Sequence, residues 1–116
     1  MKQINVGGID MKRLFISQPM RGLTDIEIFR ERNRLLHLAE EIVGERLQLI
    51  NSWVNHCPNI EQFNIPVYYL GQSIVKLSEA NIVLFGEGWS EARGCNIEHK
   101  VALAYGISII DEEELG

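Results

Sequence analysis

Four strand-sized apolar runs, each separated from the next by a stretch of helix length or more, leave this chain few architectures to adopt. Leu14, Phe15 and Ile16, within Lys12 to Ser17, are consecutive rather than alternating, which suits a parallel strand buried on both faces. Leu47 to Ile50, Asn81 to Phe85 and Ile107 to Ile110 are runs of the same size. From Thr24 to Val43, Ile28, Leu35, Ala39 and Ile42, with Phe29, Leu36 and Val43 alongside, form one broad stripe, while Glu31, Arg34 and Glu41 fall elsewhere. Thr24 and Glu27 have capping-box spacing, Asp25 adds negative charge at the helix start, and Gly44 ends the helix. Pro66 suits the first turn of a second helix, along which Val67, Leu70, Ile74 and Leu77 sit at helical spacing. A third helix is expected over Ser90 to Tyr105, with Ile97, Val101 and Ala104 as its core face and Gly106 as its stop. Asn51 to Ile65 shows no period and reads as a loop; Asp111 to Gly116 reads as an acidic tail.

The order βαβαβαβ implies a parallel α/β sheet with helices on both faces and right-handed crossovers. The expected strand order is the flavodoxin-like (Rossmann-like) 2-1-3-4. In such sheets ligands bind at the C-terminal ends of the strands, where the order switches direction. The site is therefore expected in the loop after strand 1, Ser17 to Gly22, and the loop after strand 3, Gly86 to Gly94.

A chain of 116 residues makes one domain, here 12–116, with residues 1–11 expected as a flexible arm. Met1 to Asp10 is polar and lacks the apolar core of a signal peptide, and the longest apolar runs are far short of a membrane span. The formal charge of −5 argues against a nucleic-acid partner. Two cysteines, Cys57 and Cys95, are too few for a disulfide scaffold, so a reducing cytoplasm is the expected location.

Both selected loops carry an Arg-Gly pair, Arg21-Gly22 and Arg93-Gly94, each beside a helix start. Glycine permits close backbone approach, and a guanidinium near a helix N-terminus attracts phosphate or carboxylate. Singly, each pair reads as a solvated charge beside a turn; two at one crevice point to an anion. Glu98 has Gly94 four residues before it and Ala102 four after, so small residues flank a carboxylate on one helix face. The plainer reading is a surface glutamate paired with Lys100 or His99.

Gly94-Cys95-Asn96-Ile97-Glu98, followed by Ala102 and Gly106, resembles the G-x-x-x-E-x-x-x-A-x-x-x-G segment of nucleoside 2-deoxyribosyltransferases. Leu14-Phe15-Ile16-Ser17-Gln18-Pro19-Met20 resembles that superfamily's opening I-Y-I-S-G-P-M, and Gly88-Trp89-Ser90-Glu91-Ala92-Arg93-Gly94 is closer to a small branch of it found in phages and bacteria. The resemblance spans Lys12 to Ile110. It implies Glu98 as a nucleophile on the anomeric carbon of a nucleoside or nucleotide. It also implies a substrate-binding set of Phe15, Ser17, Pro19, Met20, Arg21, Gly22, Asn81, Gly88, Trp89, Ser90, Arg93 and Gly94. No cofactor is implied, and the relatives' habit implies a homo-oligomer with a dimer as its unit.

Two departures bear on activity. Phe15 stands where the family has a tyrosine that steadies the nucleophile, and Asn81 stands for an aspartate that helps protonate the base. An asparagine cannot act as a general acid, and such assistance is worth about 10²–10⁴-fold. Trp89 is placed to stack on a base or cover the pocket; Trp53, Tyr68 and Tyr69 are candidates for a subunit contact or the core. Cys95 and His99, with His56-Cys57, could make a mixed zinc site, but no C-x-x-C or paired-His motif supports it, so no metal is expected. Three readings stay open: an N-glycosidic enzyme using Glu98, a binder that captures a nucleotide-like ligand without turnover, and an interaction domain with no small ligand.

Overall fold

In a computed structural model of the chain, residues 10–53, 56–59 and 61–115 are described. Most of the expected N-terminal arm, residues 1–9, lies outside them. The elements follow the expected alternation: β1 (Arg13–Ser17), α1 (Asp25–Val43), β2 (Gln48–Leu49), α2 (Ile65–Leu77), β3 (Ile82–Phe85), α3 (Arg93–Ala104), β4 (Ser108–Asp111) and a single closing turn, α4 (Glu112–Leu115). The four strands form one all-parallel sheet in the order β2-β1-β3-β4. β1 and β3 pair along their length, Leu14 opposite Ile82 through Ser17 opposite Phe85, which makes them the spine of the sheet.

Strand side chains alternate between faces, so each central strand feeds two cores. Leu14, Ile16, Ile82 and Leu84 pack with Leu35 and Ala39 of α1. Phe15, Val83 and Phe85 pack on the opposite face with Leu77 of α2 and Ala102 of α3. The flavodoxin-like winding follows: α1 covers one face, and α2 with α3 cover the other.

Local chemistry sets the helix ends. The Thr24 hydroxyl accepts from the Glu27 N–H at 3.2 Å, the Glu27 carboxylate accepts from the Thr24 N–H at 2.9 Å, and Gly44 closes α1 at φ +82°. Asn64 caps α2 by accepting from the Val67 N–H at 3.2 Å, with Pro66 in the first turn. The α1 stripe is narrower than expected: Phe29 and Ile42 are exposed, and Leu38 joins the core.

The largest differences lie between β3 and the C-terminal turn. The third helix begins at Arg93 rather than Ser90. Before it, Trp89–Glu91 form one tighter 3₁₀ turn and Ala92 is extended. Asn96 holds that break, its side-chain NH₂ donating to the carbonyls of Trp89, Ser90 and Ala92. The buried positions of α3 are Cys95, Glu98 and Ala102, whereas Ala104 is exposed and Ile97 only half-buried. The acidic tail is not free. Its carboxylates fasten the loop after β3: Glu112 accepts from the Glu87 N–H, and Glu113 from the Gly88 N–H and the Ser90 hydroxyl. Glu112 also pairs with Arg34 of α1 at 2.8 Å, and this contact holds the Glu112 carboxyl below the usual range. No described helix is long and apolar enough to cross a membrane.

Candidate functional site

Glu98 lies in the middle of α3, on the side that faces the sheet, and only 6% of it is exposed. A carboxylate there requires donors, because a buried acceptor without one costs about 1–3 kcal/mol. It has two. The Ser17 hydroxyl, at the C-terminal end of β1, donates to Oε1 at 2.7 Å, and the Ser73 hydroxyl of α2 donates to Oε2. Three elements thus fix both carboxylate oxygens. Burial pushes the Glu98 carboxyl above the ordinary glutamate range, and the hydroxyls of Ser73 and Ser17 pull it back toward ionisation. Cys95, one turn earlier, is buried beside Ser17, and that burial keeps its sulfur a thiol rather than a reactive thiolate.

Above Glu98 opens a cavity of about 790 Å³, within the range of small-molecule sites. β1 and the loop after it contribute Phe15, Ser17, Gln18, Pro19, Met20 and Arg21. The start of α3 and the turn before it contribute Gly88, Glu91, Arg93, Gly94 and Cys95; α2 contributes Tyr69, Leu70 and Ser73. This is the C-terminal edge of the sheet at the switch between β1 and β3, where topology alone places a ligand. A Cβ added at Gly94 would meet nothing within 4 Å, so the room beside Glu98 on that side is real; Ala102, on the other side, is simply core.

Of the residues that the sequence singles out, Phe15, Ser17, Pro19, Met20, Arg21, Gly88, Arg93, Gly94 and Glu98 come together in the cavity lining. Four do not. Asn81 sits at the N-terminal end of β3, where its side-chain oxygen accepts from the Arg13 N–H at 2.7 Å. It lines a smaller hollow of about 360 Å³ with Lys12, Val43 and Ser108, at the opposite edge of the sheet. A strand of four residues advances about 13 Å, so Asn81 is too far to address a base above Glu98. Trp89 is half-buried and held by other partners: its indole N–H donates to Asp111 at 2.8 Å, and its ring stacks on His99 with centroids 4.1 Å apart and planes 11° apart. Ser90 is held by Glu113, and Gly22 shapes a turn at φ +81° outside the cavity.

Several residues join that the sequence reading assigned elsewhere or passed over. Ser73 is the clearest: it falls between Leu70 and Leu77 on the buried stripe of α2, where a polar residue needs a partner. Arg32 interrupts the α1 stripe in the same way, four residues after Ile28 and three before Leu35, and it lines the cavity. Trp53 and Tyr69, candidates for a subunit contact, also face the cavity, and the Tyr69 hydroxyl accepts from the Cys57 N–H at 3.2 Å. Cys95 and His99 do not converge on a metal. His99 is stacked on Trp89, and among the described residues no group of three His, Cys, Asp or Glu side chains could hold an ion.

The lining carries three guanidinium groups, Arg21, Arg32 and Arg93, against two carboxylates, Glu91 and Glu98, in a chain whose net charge is −5. The arrangement suits a ligand with an anionic part and an electrophilic or hydroxyl-bearing part resting on Glu98. No family model matches the chain, and no curated protein or solved structure matches it.

Proposed function

We propose that this cavity binds a nucleoside or nucleotide and that Glu98 opens its N-glycosidic bond. The observation that carries the reading is the fixed carboxylate: buried, oriented by Ser17 and Ser73, and set at the base of an open cavity at the strand switch point. A Glu98 oxygen attacks the anomeric carbon as the bond to the base breaks. The base leaves with that electron pair and takes up a proton from water in the open cavity. A covalent glycosyl–Glu98 ester results, and water or a second base then attacks the same carbon, gives up its proton to solvent and frees the carboxylate.

The hydroxyls of Ser17 and Ser73 do for Glu98 what a tyrosine at the Phe15 position does in the family that the sequence resembles. Asn81, placed at the far edge, gives no ground for a missing general acid in the cavity. The first point favours turnover over capture alone. A homodimer unit belongs to the same reading, with the exposed side chains of Phe29, Trp53 and Val67 as available apolar surface; sedimentation at several concentrations tests it.

The test is incubation of the protein with the common ribo- and deoxyribonucleosides and their 5′-monophosphates, followed by mass spectrometry. Free base, together with a glycosylated Glu98 peptide that is absent in Glu98→Gln, is the expected result. A ligand that binds and returns intact makes the protein a binder. Silence across the panel removes the reading.

A further inference from the structure

We infer that Arg32, held by Gln18, reads a phosphomonoester on the ligand, and that the cavity therefore takes nucleoside monophosphates in preference to nucleosides. The inference rests on the nucleoside reading of the same cavity.

Ser17 and Gln18 are consecutive at the end of β1, and their side chains serve opposite faces of the sheet. Ser17 reaches Glu98 on the α2–α3 face, whereas Gln18 reaches α1. Gln18 is 5% exposed and both ends of its amide are used. Its NH₂ group donates to the Ile28 carbonyl at 3.3 Å, which leaves its oxygen to accept from Arg32 Nε at 3.2 Å. The carbonyl of Ile28 thus dictates which way the amide points, and the amide dictates where the guanidinium lies.

Arg32 is consequently tethered by one nitrogen only. Among the described residues no carboxylate pairs with it, in contrast to Arg34 two positions on, which is bound by both Glu31 and Glu112. This half-buried guanidinium stands in the cavity wall with its terminal NH₂ groups uncommitted and open to a ligand, and burial weakens its hold on its proton. The terminal NH₂ pair matches two oxygens of a phosphate. Arg21 and Arg93 are exposed and supply attraction at the mouth, whereas Arg32 is the fixed one. A ligand lying across the end of β1 would then set its sugar on Glu98 and its phosphate toward α1.

The test measures calorimetric affinities of the full chain for the four deoxynucleosides, their 5′-monophosphates and ribose 5-phosphate at pH 8. Wild type, Arg32→Gln, Arg32→Lys and Gln18→Glu are compared. A hydrogen-bonded charge pair of this kind corresponds to about ten- to a hundredfold in affinity. Wild type should prefer the monophosphate by that ratio. Arg32→Gln should bring the ratio to near one with nucleoside affinity kept, and Arg32→Lys should restore part of it. Gln18→Glu should lower the ratio with Arg32 still present, because an internal carboxylate then occupies the guanidinium. Equal binding of nucleoside and monophosphate by wild type overturns the inference and leaves the nucleoside reading standing, as does an Arg32→Gln variant that weakens both ligands alike. Arg32-dependent binding of ribose 5-phosphate with no response to any nucleoside or nucleotide keeps the anion site and removes the nucleoside reading. Silence from every ligand removes both.

Discussion

Ser73→Ala isolates the support of Glu98 with little change of shape, since it deletes one oxygen whose described bond is to Glu98 Oε2. A hydrogen bond to an ionised group contributes about 1.5–3 kcal/mol and a neutral one about 0.5–1.5 kcal/mol. The loss should be about 2 kcal/mol where Glu98 is ionised and about 1 kcal/mol where it is protonated, so it should grow from pH 4.5 to pH 8. For a domain of this length 1 kcal/mol moves Tm by roughly 3–6 °C, so the fall should be roughly 6–12 °C with Glu98 ionised and roughly 3–6 °C with it protonated. Burial raises the folded-state pKa of Glu98 above its unfolded value. Between those two values the folded chain holds the extra proton, so stability falls as pH rises through that window. Removing the Ser73 donor disfavours the ionised form and extends the window upward. Thermal denaturation followed by circular dichroism at pH 4.5 and 8, in wild-type and Glu98→Gln backgrounds, reads all of this. In Glu98→Gln the Ser73→Ala loss at pH 8 should shrink to about 1 kcal/mol, the value for a neutral pair. A Ser73→Ala loss that is equal at both pH values, and unchanged by Glu98→Gln, refutes the account of a serine-supported carboxylate.

Asn81→Ala removes the acceptor for the Arg13 N–H and should cost about 1 kcal/mol in denaturant unfolding, yet leave ligand affinity unchanged, because Asn81 lies at the opposite edge of the sheet. Gly94→Ala places a methyl where nothing lies within 4 Å and improves helix propensity, so Tm should hold or rise while affinity for any cavity ligand falls at least severalfold in calorimetry. Glu113→Ala frees the Gly88 N–H and the Ser90 hydroxyl; it should cost about 1–2 kcal/mol and speed amide hydrogen exchange at Gly88 and Ser90 before any other loop.

The centre of the sheet was legible because β1 and β3 are continuous apolar runs, as strands buried on both faces are; β2 and β4 flank them and are less buried. The strict strand–helix alternation pointed to the flavodoxin-like order 2-1-3-4, and with it to the edge on which a ligand would rest. Glu98 could be found because Gly94 and Ala102 mark its helix face. Its serine supports were harder, since Ser17 and Ser73 come from separate elements and meet only when α2 packs on α3. The distance of Asn81 from the cavity was not legible, because a strand's first residue and its last are neighbours in sequence but lie at opposite edges of the sheet. Trp89 misled for a different reason: Asp111 and His99, which absorb it, follow at a distance that depends on the path of α3 and β4. The role of the acidic C-terminal segment depended on the same folding-back, since composition alone makes such a stretch look solvated.

The opposed directions of Ser17 and Gln18 impose a reading frame on the end of β1. Strand alternation has a period of two, so one residue inserted or removed between Leu14 and Gln18 would turn the hydroxyl toward α1 and the amide toward Glu98. Neither would then find its partner. Beyond Pro19 the chain is in a loop and such parity no longer applies. Changes of length in this region should therefore be accepted between Met20 and Leu23 and rejected a few residues earlier, a boundary that a library of single-residue insertions would draw sharply.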